Sequence, residues 1–340
     1  MNWNPPENWL KITAIDAHTG GEPLRIFTSG YPTPEGDTIL AKRRFALDRL
    51  DYLRTATMWE PRGHADMYGC IITEPVTADG DCGVIFTHNE GYSSMCGHGI
   101  IAVTKVGLET GIIGSARDKA EVRIDTPAGR VTAFPKWDGD RVAEVSFINV
   151  PSFVYALDRS VVVPGLGEVK YDLAFGGAFY AFVSAESVGV ELTANGFRRL
   201  IELGISIKQA VMSSSTVKHP FEEDLGFLYG VIFVGEAHRR ENHSRNVCVF
   251  ADGEVDRCPT GTGVSARTAL HHARGELDIG ESITVESIIG SCFRAEAVEA
   301  LHYGPYNAVI PKVTGSAHIC GINTLLIDPD DPLGEGFILR

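Results

Sequence analysis

The chain lacks the cysteine patterns that mark disulfide-stapled and zinc-binding proteins. Its 340 residues contain seven cysteines, an odd number, and no two of them form a Cys-x-x-Cys pair. We therefore expect no disulfide framework, and unpaired cysteines are typical of a reducing compartment such as the cytoplasm. The histidines and cysteines also lack metal-ligand spacing such as His-Glu-x-x-His, so the sequence predicts no bound metal.

Basic charge and long apolar runs are scarce as well. The formal net charge is −14 at pH 7, which argues against a nucleic-acid partner. The most apolar window, residues 227–234, is far too short to cross a membrane, and the first nine residues do not resemble a signal peptide. We expect a cytoplasmic protein with neither nucleic acid nor membrane as partner, and the length suggests two domains or one large one.

Two segments of the chain resemble each other. Residues 96–100 read Cys-Gly-His-Gly-Ile and residues 260–264 read Thr-Gly-Thr-Gly-Val, and each leads into an apolar stretch of helical length. The repeat predicts two similar lobes, each with a helix that starts at a glycine-rich turn. The first copy begins with a thiol and the second with a hydroxyl.

The periodicity of the rest of the chain agrees with a repeated architecture. A long amphipathic helix is predicted at 41–57, with Phe45, Leu47, Leu50 and Leu53 on its apolar side. Other helices are predicted at 97–107, 196–209 and 262–274, and strands at 11–17, 24–28, 67–72, 83–87, 120–125, 130–134, 143–182, 228–234, 246–250 and from 282 onward. The pattern indicates mixed strands around one buried helix in each lobe, with the ligand between the lobes.

The two glycine-rich turns suggest acid–base chemistry on a carboxylate. Helix N-termini present unpaired N–H groups and partial positive charge, so two of them facing one cleft would hold an anion. A free thiol titrates near about 8.5 and a helix N-terminus lowers that value, so Cys96 could act as a base where Thr260 could not. His98 could hydrogen-bond the thiol or the ligand. A buried cysteine is often only a small apolar residue, and Gly-x-Gly alone is a weak signal, but the repeat favours function.

Several longer motifs resemble the proline racemase family, which includes proline racemases, 4-hydroxyproline epimerases and trans-3-hydroxy-L-proline dehydratases. They are residues 16–23, 60–64, 88–92, 95–99, 126–129, 175–177, 256–263 and 287–291. The resemblance implies an α+β fold of diaminopimelate-epimerase type, with two pseudo-symmetric lobes that are each a barrel-like mixed sheet around a central helix. We expect an N-terminal lobe at 1–150 that carries Cys96 and is completed by about 312–340, and a C-terminal lobe at 151–311 that carries Thr260.

The resemblance also implies which residues act. Family racemases and epimerases hold a cysteine in both turns, and their second motif usually reads Asp-Arg-Ser-Pro-Cys-Gly-Thr-Gly. Here Cys258 stands in the serine place and Thr260 in the cysteine place, a combination that resembles the dehydratases. Two residues of extended chain span about 6.6 Å, so Cys258 is interpreted as a structural substitute for serine.

The implied reaction removes water from trans-3-hydroxy-L-proline without a cofactor and gives 1-pyrroline-2-carboxylate. Cys96 and Thr260 would be the catalytic pair, with Cys96 as acceptor of the Cα proton. Asp256 would bind the ring ammonium with His98 nearby, and the N–H groups of the two turns, from Gly97, His98, Gly261 and Thr262, would hold the carboxylate. The resemblance further implies a homodimer and a role in hydroxyproline breakdown.

Other interpretations stay open. The protein could be a proline racemase or 4-hydroxyproline epimerase that uses Cys96 with Cys258, or a binding protein without turnover. A metalloprotein is disfavoured because Cys96-x-His98 and the His271-His272 pair lack metal-ligand spacing. Tyr229 falls near a substrate-facing histidine of the epimerases, although a strand aromatic in the core is the favoured interpretation.

Overall fold

The computed structural model describes residues 3–114 and 119–339. Its helices are Ile39–Arg49 (α1), Asp51–Met58 (α2), Gly97–Thr110 (α3), Phe197–Ser214 (α4) and Gly261–Ala273 (α5). The strands of the first half are Leu10–Thr19 (β1), Glu22–Ser29 (β2), Tyr68–Thr73 (β3), Cys82–His88 (β4), Gly91–Tyr92 (β5), Val122–Thr126 (β6), Gly129–Asp138 (β7) and Arg141–Ile148 (β8). Those of the second half are Ser152–Val163 (β9), Gly167–Phe175 (β10), Phe179–Ser184 (β11), Leu228–Gly235 (β12), Ser244–Phe250 (β13), Glu254–Val255 (β14), Ser282–Glu286 (β15), Cys292–Tyr303 (β16), Tyr306–Gly315 (β17) and Ala317–Ile327 (β18).

The strands pair in the same order in both halves. In the first, the order is β18-β1-β2-β3-β4-β6-β7-β8, with β2–β3 and β4–β6 parallel and the other pairs antiparallel. In the second, the order is β9-β10-β11-β12-β13-β15-β16-β17, with β11–β12 and β13–β15 parallel. Strand β17 also pairs with β9, which closes the second set into a barrel of eight strands. The equivalent strands β8 and β17 pair with each other and join the two halves.

Each set of strands surrounds one helix. Helix α3 packs against β1, β7, β8 and β18, and helix α5 packs against β9, β10, β16 and β17. Residues 97–108 and 261–270 of these helices are all buried. The protein therefore has an α+β fold of two pseudo-symmetric lobes, each a mixed sheet around a central helix, as the sequence predicts.

The prediction of one long helix at 41–57 is wrong in two respects. The segment forms α1 and α2, and Leu50 between them leaves the helical conformation with φ −122° and ψ 8°. Leu47, expected on the apolar side, is 51% exposed. Changing the helix direction at Leu50 lets each short helix bury its own apolar residues, which one straight helix could not do.

The predicted lobe boundaries at 150 and 311 stay a proposal. Strand β18 pairs with β1 along its whole length, from Leu10 opposite Ile327 to Thr19 opposite Ala317. This pairing supports the expectation that the C-terminal segment completes the N-terminal lobe. Within 3–114 and 119–339, no helix combines the length and apolar character that a bilayer crossing requires.

Candidate active site

The two central helices begin against each other. A Cβ atom added to Gly97 would lie 2.6 Å from the Cα of Gly261, and one added to Gly261 would lie 2.7 Å from the Cα of Gly97. Non-bonded carbon atoms prefer separations of about 3.5–4.0 Å, so only glycine fits at either place. The first glycine of each Gly-x-Gly motif is thus explained by the close approach of the two helix N-termini; a Cβ at the second glycine, Gly99 or Gly263, would instead meet Phe86 or Ile232.

A small cavity lies where the turns meet. It has a volume of about 20 Å³ and is lined by Tyr68, Met95, Cys96, Gly97, His98, Tyr180, Tyr229, Phe250, Asp256, Thr260, Gly261 and Thr262. The lining includes every residue that the sequence predicts for the site, although the two sets of residues lie more than 150 positions apart in the chain. The first turns of α3 and α5 contribute N–H groups that a helix leaves without intrahelical partners, so both can face an anion here.

The Cys96 thiol caps the N-terminus of α3. Its Sγ accepts a hydrogen bond from Gly99 N at 3.2 Å and lies 3.2 Å from Nδ1 of His98. Burial raises the pKa of the thiol well above its usual range, the Gly99 N–H opposes that shift, and the charge of Asp256 adds to it. The helix N-terminus does lower this pKa, as expected, but the loss of hydration on burial outweighs it, so the net shift is upward.

The His98 ring is neutral in this site. Burial lowers its pKa to about 4, against the attraction of Asp256, and the ring hydrogen-bonds the backbone of Pro23. A neutral imidazole has one donor and one acceptor nitrogen. When one nitrogen donates to the Pro23 carbonyl, the other accepts the Cys96 S–H.

Thr260 occupies the matching position of the second lobe but behaves differently. Its φ of 68° lies in the left-handed region, where β-branched residues are rare, and its side chain does not cap α5. The hydroxyl instead donates to Oδ2 of Asp256 at 2.7 Å. Asp256 Oδ1 accepts the backbone N–H of Cys258 at 2.8 Å, so the carboxylate is fixed by two donors. The left-handed backbone conformation of Thr260 is strained, and backbone strain of this kind is typical of functional positions.

The family described as Proline racemase matches residues 14–338. The chain belongs to the proline racemase family. A trans-3-hydroxy-L-proline dehydratase of Colwellia psychrerythraea is 50% identical over 99% of this chain and 96% of its own length. A 3-hydroxyproline 2-epimerase of Burkholderia multivorans is 43% identical over 97% of this chain and 98% of its own.

A solved structure shows the same fold. The hydroxyproline epimerase of Agrobacterium vitis, with bound trans-4-hydroxy-L-proline, is 31% identical and superposes with a TM-score of 0.93. The match covers 98% of this chain and 96% of that one. The similarity in sequence and the similarity in fold therefore both extend over the two lobes and include the two glycine-rich turns.

Three tyrosines line the cavity, Tyr68, Tyr180 and Tyr229, and only Tyr229 among them is singled out by the sequence. The Tyr68 hydroxyl donates to Ser93 Oγ at 2.6 Å and lies 3.1 Å from the Tyr229 hydroxyl. Tyr180 lies 2.7 Å, oxygen to oxygen, from the hydroxyl of Thr262. The interpretation of Tyr229 as a core aromatic is incomplete: the ring is buried on β12, and it also lines the cavity.

One further carboxylate, that of Glu22, and one further thiol, that of Cys258, lie close to the cavity. Glu22 is buried and accepts the backbone N–H of Arg257 at 2.7 Å. Burial and the nearby charge of Asp256 raise its pKa well above the usual range. Cys258 is fully buried, and its Sγ accepts the N–H of Thr260 at 3.3 Å. This thiol is outside the set of cavity-lining residues, as expected of a residue in the serine place.

Proposed function

We propose that the protein is a trans-3-hydroxy-L-proline dehydratase, a hydro-lyase that uses Cys96 as its base. The observation that carries the proposal is the pairing of one thiol with one hydroxyl at equivalent places beside a single cavity. A site with two thiols could remove a proton from one face of Cα and return one to the other. With Thr260 opposite Cys96, only one face has a sulfur base. The full-length similarity to the Colwellia dehydratase supports the proposal.

The substrate is held by charge and hydrogen bonds at the two turns. The backbone N–H groups of residues 97, 98, 261 and 262 donate hydrogen bonds to the substrate carboxylate, and the Asp256 carboxylate pairs with the ring ammonium. Fixed donors stabilise the charge that grows on the carboxylate as the Cα proton leaves. The ammonium offsets the charge of Asp256, one of the causes of the raised pKa of Cys96, and so favours the thiolate when substrate is bound.

The elimination is a syn process. In the trans isomer the 3-hydroxyl lies on the same face of the ring as the Cα hydrogen. The Cys96 thiolate takes that hydrogen as a proton, the Cα–C3 double bond forms, and the C3–O bond breaks. The thiol returns the proton to the departing hydroxide, which leaves as water. The product, 2-pyrroline-2-carboxylate, tautomerises to 1-pyrroline-2-carboxylate.

The site must open to admit its substrate. A cavity of about 20 Å³ holds about one water molecule, and a hydroxyproline is several times larger. Because the lining residues come from both lobes, we propose that the turns of α3 and α5 separate for entry and close again. Closure would exclude water from the charged intermediate. The reaction as written needs no cofactor; a cytoplasmic location and a homodimer stay predictions.

Proton NMR in D₂O tests the assignment. The purified protein should convert trans-3-hydroxy-L-proline to 1-pyrroline-2-carboxylate, and Cys96→Ser should not. Cys258→Ser should remain active, since serine is the residue that the family motif usually has there. Formation of D-isomer from L-proline or trans-4-hydroxy-L-proline, lost in Cys258→Ser, would instead establish an epimerase that uses both cysteines. Unchanged substrate throughout would favour a binding protein.

A further inference from the structure

Three metal-ligating side chains from the two turns converge at the edge of the cavity, two of them in its lining. His98, Asp256 and Cys258 each offer one ligand atom, and these atoms lie within 4.8 Å of one another. His98 comes from the first turn of α3, whereas the other two precede α5. All three are buried. The proposed reaction gives Cys258 no role, so the presence of a thiol at this place is unexplained by it.

The donor set suits a zinc-type cation. Zinc binds imidazole nitrogen, thiolate sulfur and carboxylate oxygen at about 2.0–2.3 Å, which puts neighbouring ligand atoms roughly 3.3–3.8 Å apart in a tetrahedron. Side-chain shifts of about 1 Å would draw the three atoms to that spacing. The Sγ of Cys96 lies 3.2 Å from Nδ1 of His98, so a metal bound through that nitrogen would displace this contact.

The surroundings favour positive charge. Glu22 and Asp256 are both buried, and the repulsion between their carboxylates contributes to the raised pKa of Glu22. Arg257 offsets part of this charge. A divalent cation would relieve the repulsion directly and would hold the Cys258 thiol in its deprotonated form, with release of the proton to solvent.

We propose that His98, Asp256 and Cys258 form a binding site for a divalent cation of zinc type, and that the bound metal excludes the substrate. The metal occupies the place where Asp256 would receive the ring ammonium, so the two compete. The inhibition rests on the proposed function, whereas the metal binding does not. Because a serine hydroxyl is a poor zinc ligand, the site depends on the replacement of the usual serine by Cys258.

Cobalt binding tests the site without any assay of activity. Co²⁺ added to the protein should give the near-ultraviolet thiolate-to-metal absorption band and release a proton. Cys258→Ser should lose at least about tenfold in Co²⁺ affinity, the smallest loss that even a change outside the ligand shell usually causes, together with its share of the band. Cys320→Ser, which changes an exposed thiol, is the matched control and should bind as the wild type does.

Two outcomes would overturn the site. One is a wild-type protein without the band. The other is a band and affinity that persist in Cys258→Ser and disappear in Cys320→Ser or Cys96→Ser. The dehydratase activity expected of Cys258→Ser shows that this variant is folded; circular dichroism serves if the protein has no such activity.

Inhibition tests the second half of the proposal. Zn²⁺ should inhibit dehydration competitively with trans-3-hydroxy-L-proline, and EDTA should reverse it. Cys258→Ser should need at least about tenfold more Zn²⁺ for the same inhibition. Equal sensitivity of the two proteins would contradict the competition at this site. If neither protein dehydrates the substrate, the proposed function fails, while the cobalt spectra still decide the metal site.

Discussion

Replacing Gly261 with alanine would force apart the two helix N-termini that form the site. The new Cβ would lie 2.7 Å from the Cα of Gly97 and 3.2 Å from its carbonyl carbon, both backbone atoms. Restoring a normal contact of about 3.5–4.0 Å requires a shift of about 1 Å between the turns. A 1 Å misplacement of catalytic groups costs on the order of 10²-fold in rate, which is about 2.7 kcal/mol of transition-state stabilisation. We expect that loss in kcat/KM for dehydration.

The folded state should suffer less than the rate. Overpacking a buried contact costs typically about 1–3 kcal/mol, so the free energy of unfolding in urea should fall within that range. Gly91→Ala is the matched control, because a Cβ at Gly91 meets no atom within 4 Å and its φ is ordinary. Wild-type kcat/KM in Gly261→Ala would refute the reasoning, and so would an equal loss in Gly91→Ala. Gly97→Ala, with its contact at 2.6 Å, should repeat the result from the other lobe.

Two other substitutions test the thiol–hydroxyl asymmetry of the site and the buried ion pair between Arg245 and Glu286. Thr260→Cys removes the hydroxyl that donates to Asp256, a hydrogen bond worth about 1.5–3 kcal/mol, and should slow dehydration by about tenfold or more. The new thiol should also allow deuterium exchange at Cα of L-proline in D₂O, followed by proton NMR. Absence of exchange would contradict the idea that position 260 faces Cα from the side opposite Cys96. Glu286→Gln removes the partner of the buried Arg245, 2.6 Å away, and should lower the free energy of unfolding at pH 7 by roughly 3–5 kcal/mol. Burial alone would raise the pKa of Glu286, but hydrogen bonds from Asn242, Arg245 and backbone N–H groups lower it to about 2. The carboxylate therefore stabilises the fold above an unfolded pKa of about 4.3, and the difference from Glu286→Gln should shrink as pH falls toward 2; an equal difference at pH 7 and pH 3 in urea unfolding would exclude this linkage.

The repeated turn allowed much of the fold to be predicted from the sequence. Glycines at 97 and 261 are followed by apolar helical stretches, and this local pattern is sufficient to predict α3, α5 and two similar lobes. Eight separate strand predictions also agree with local alternation, whereas 143–182 and the region from 282 onward were predicted as undivided strand regions and contain β8–β11 and β15–β18. The break at Leu50 was not predictable in this way, because it depends on how α1 and α2 pack against the first barrel. Local periodicity carries no information about that packing.

The site was predicted as far as its motifs extend. Cys96, His98, Asp256 and Thr260 lie in or beside the glycine-rich turns, and the structure brings them to one cavity. Tyr68 was not predicted, since it comes from a strand whose alternation resembles any core strand. The possible metal ligands were missed for a related reason. Metal-ligand spacing in sequence detects sites within one segment, whereas His98 and Cys258 come from different lobes.

The raised pKa of Cys96 shows why the sequence argument about its reactivity was incomplete. A helix N-terminus does stabilise the thiolate, and Gly99 N–H makes that contact, but the closed site removes the thiol from water and places Asp256 nearby. Both effects disfavour the charged form. A cation beside Asp256 opposes the second effect, and the substrate ammonium supplies one. The thiol would then become a base mainly when substrate is present, since burial and Asp256 otherwise favour its protonated form. The same negative charge would attract a divalent metal, so substrate activation and metal inhibition would have one electrostatic cause.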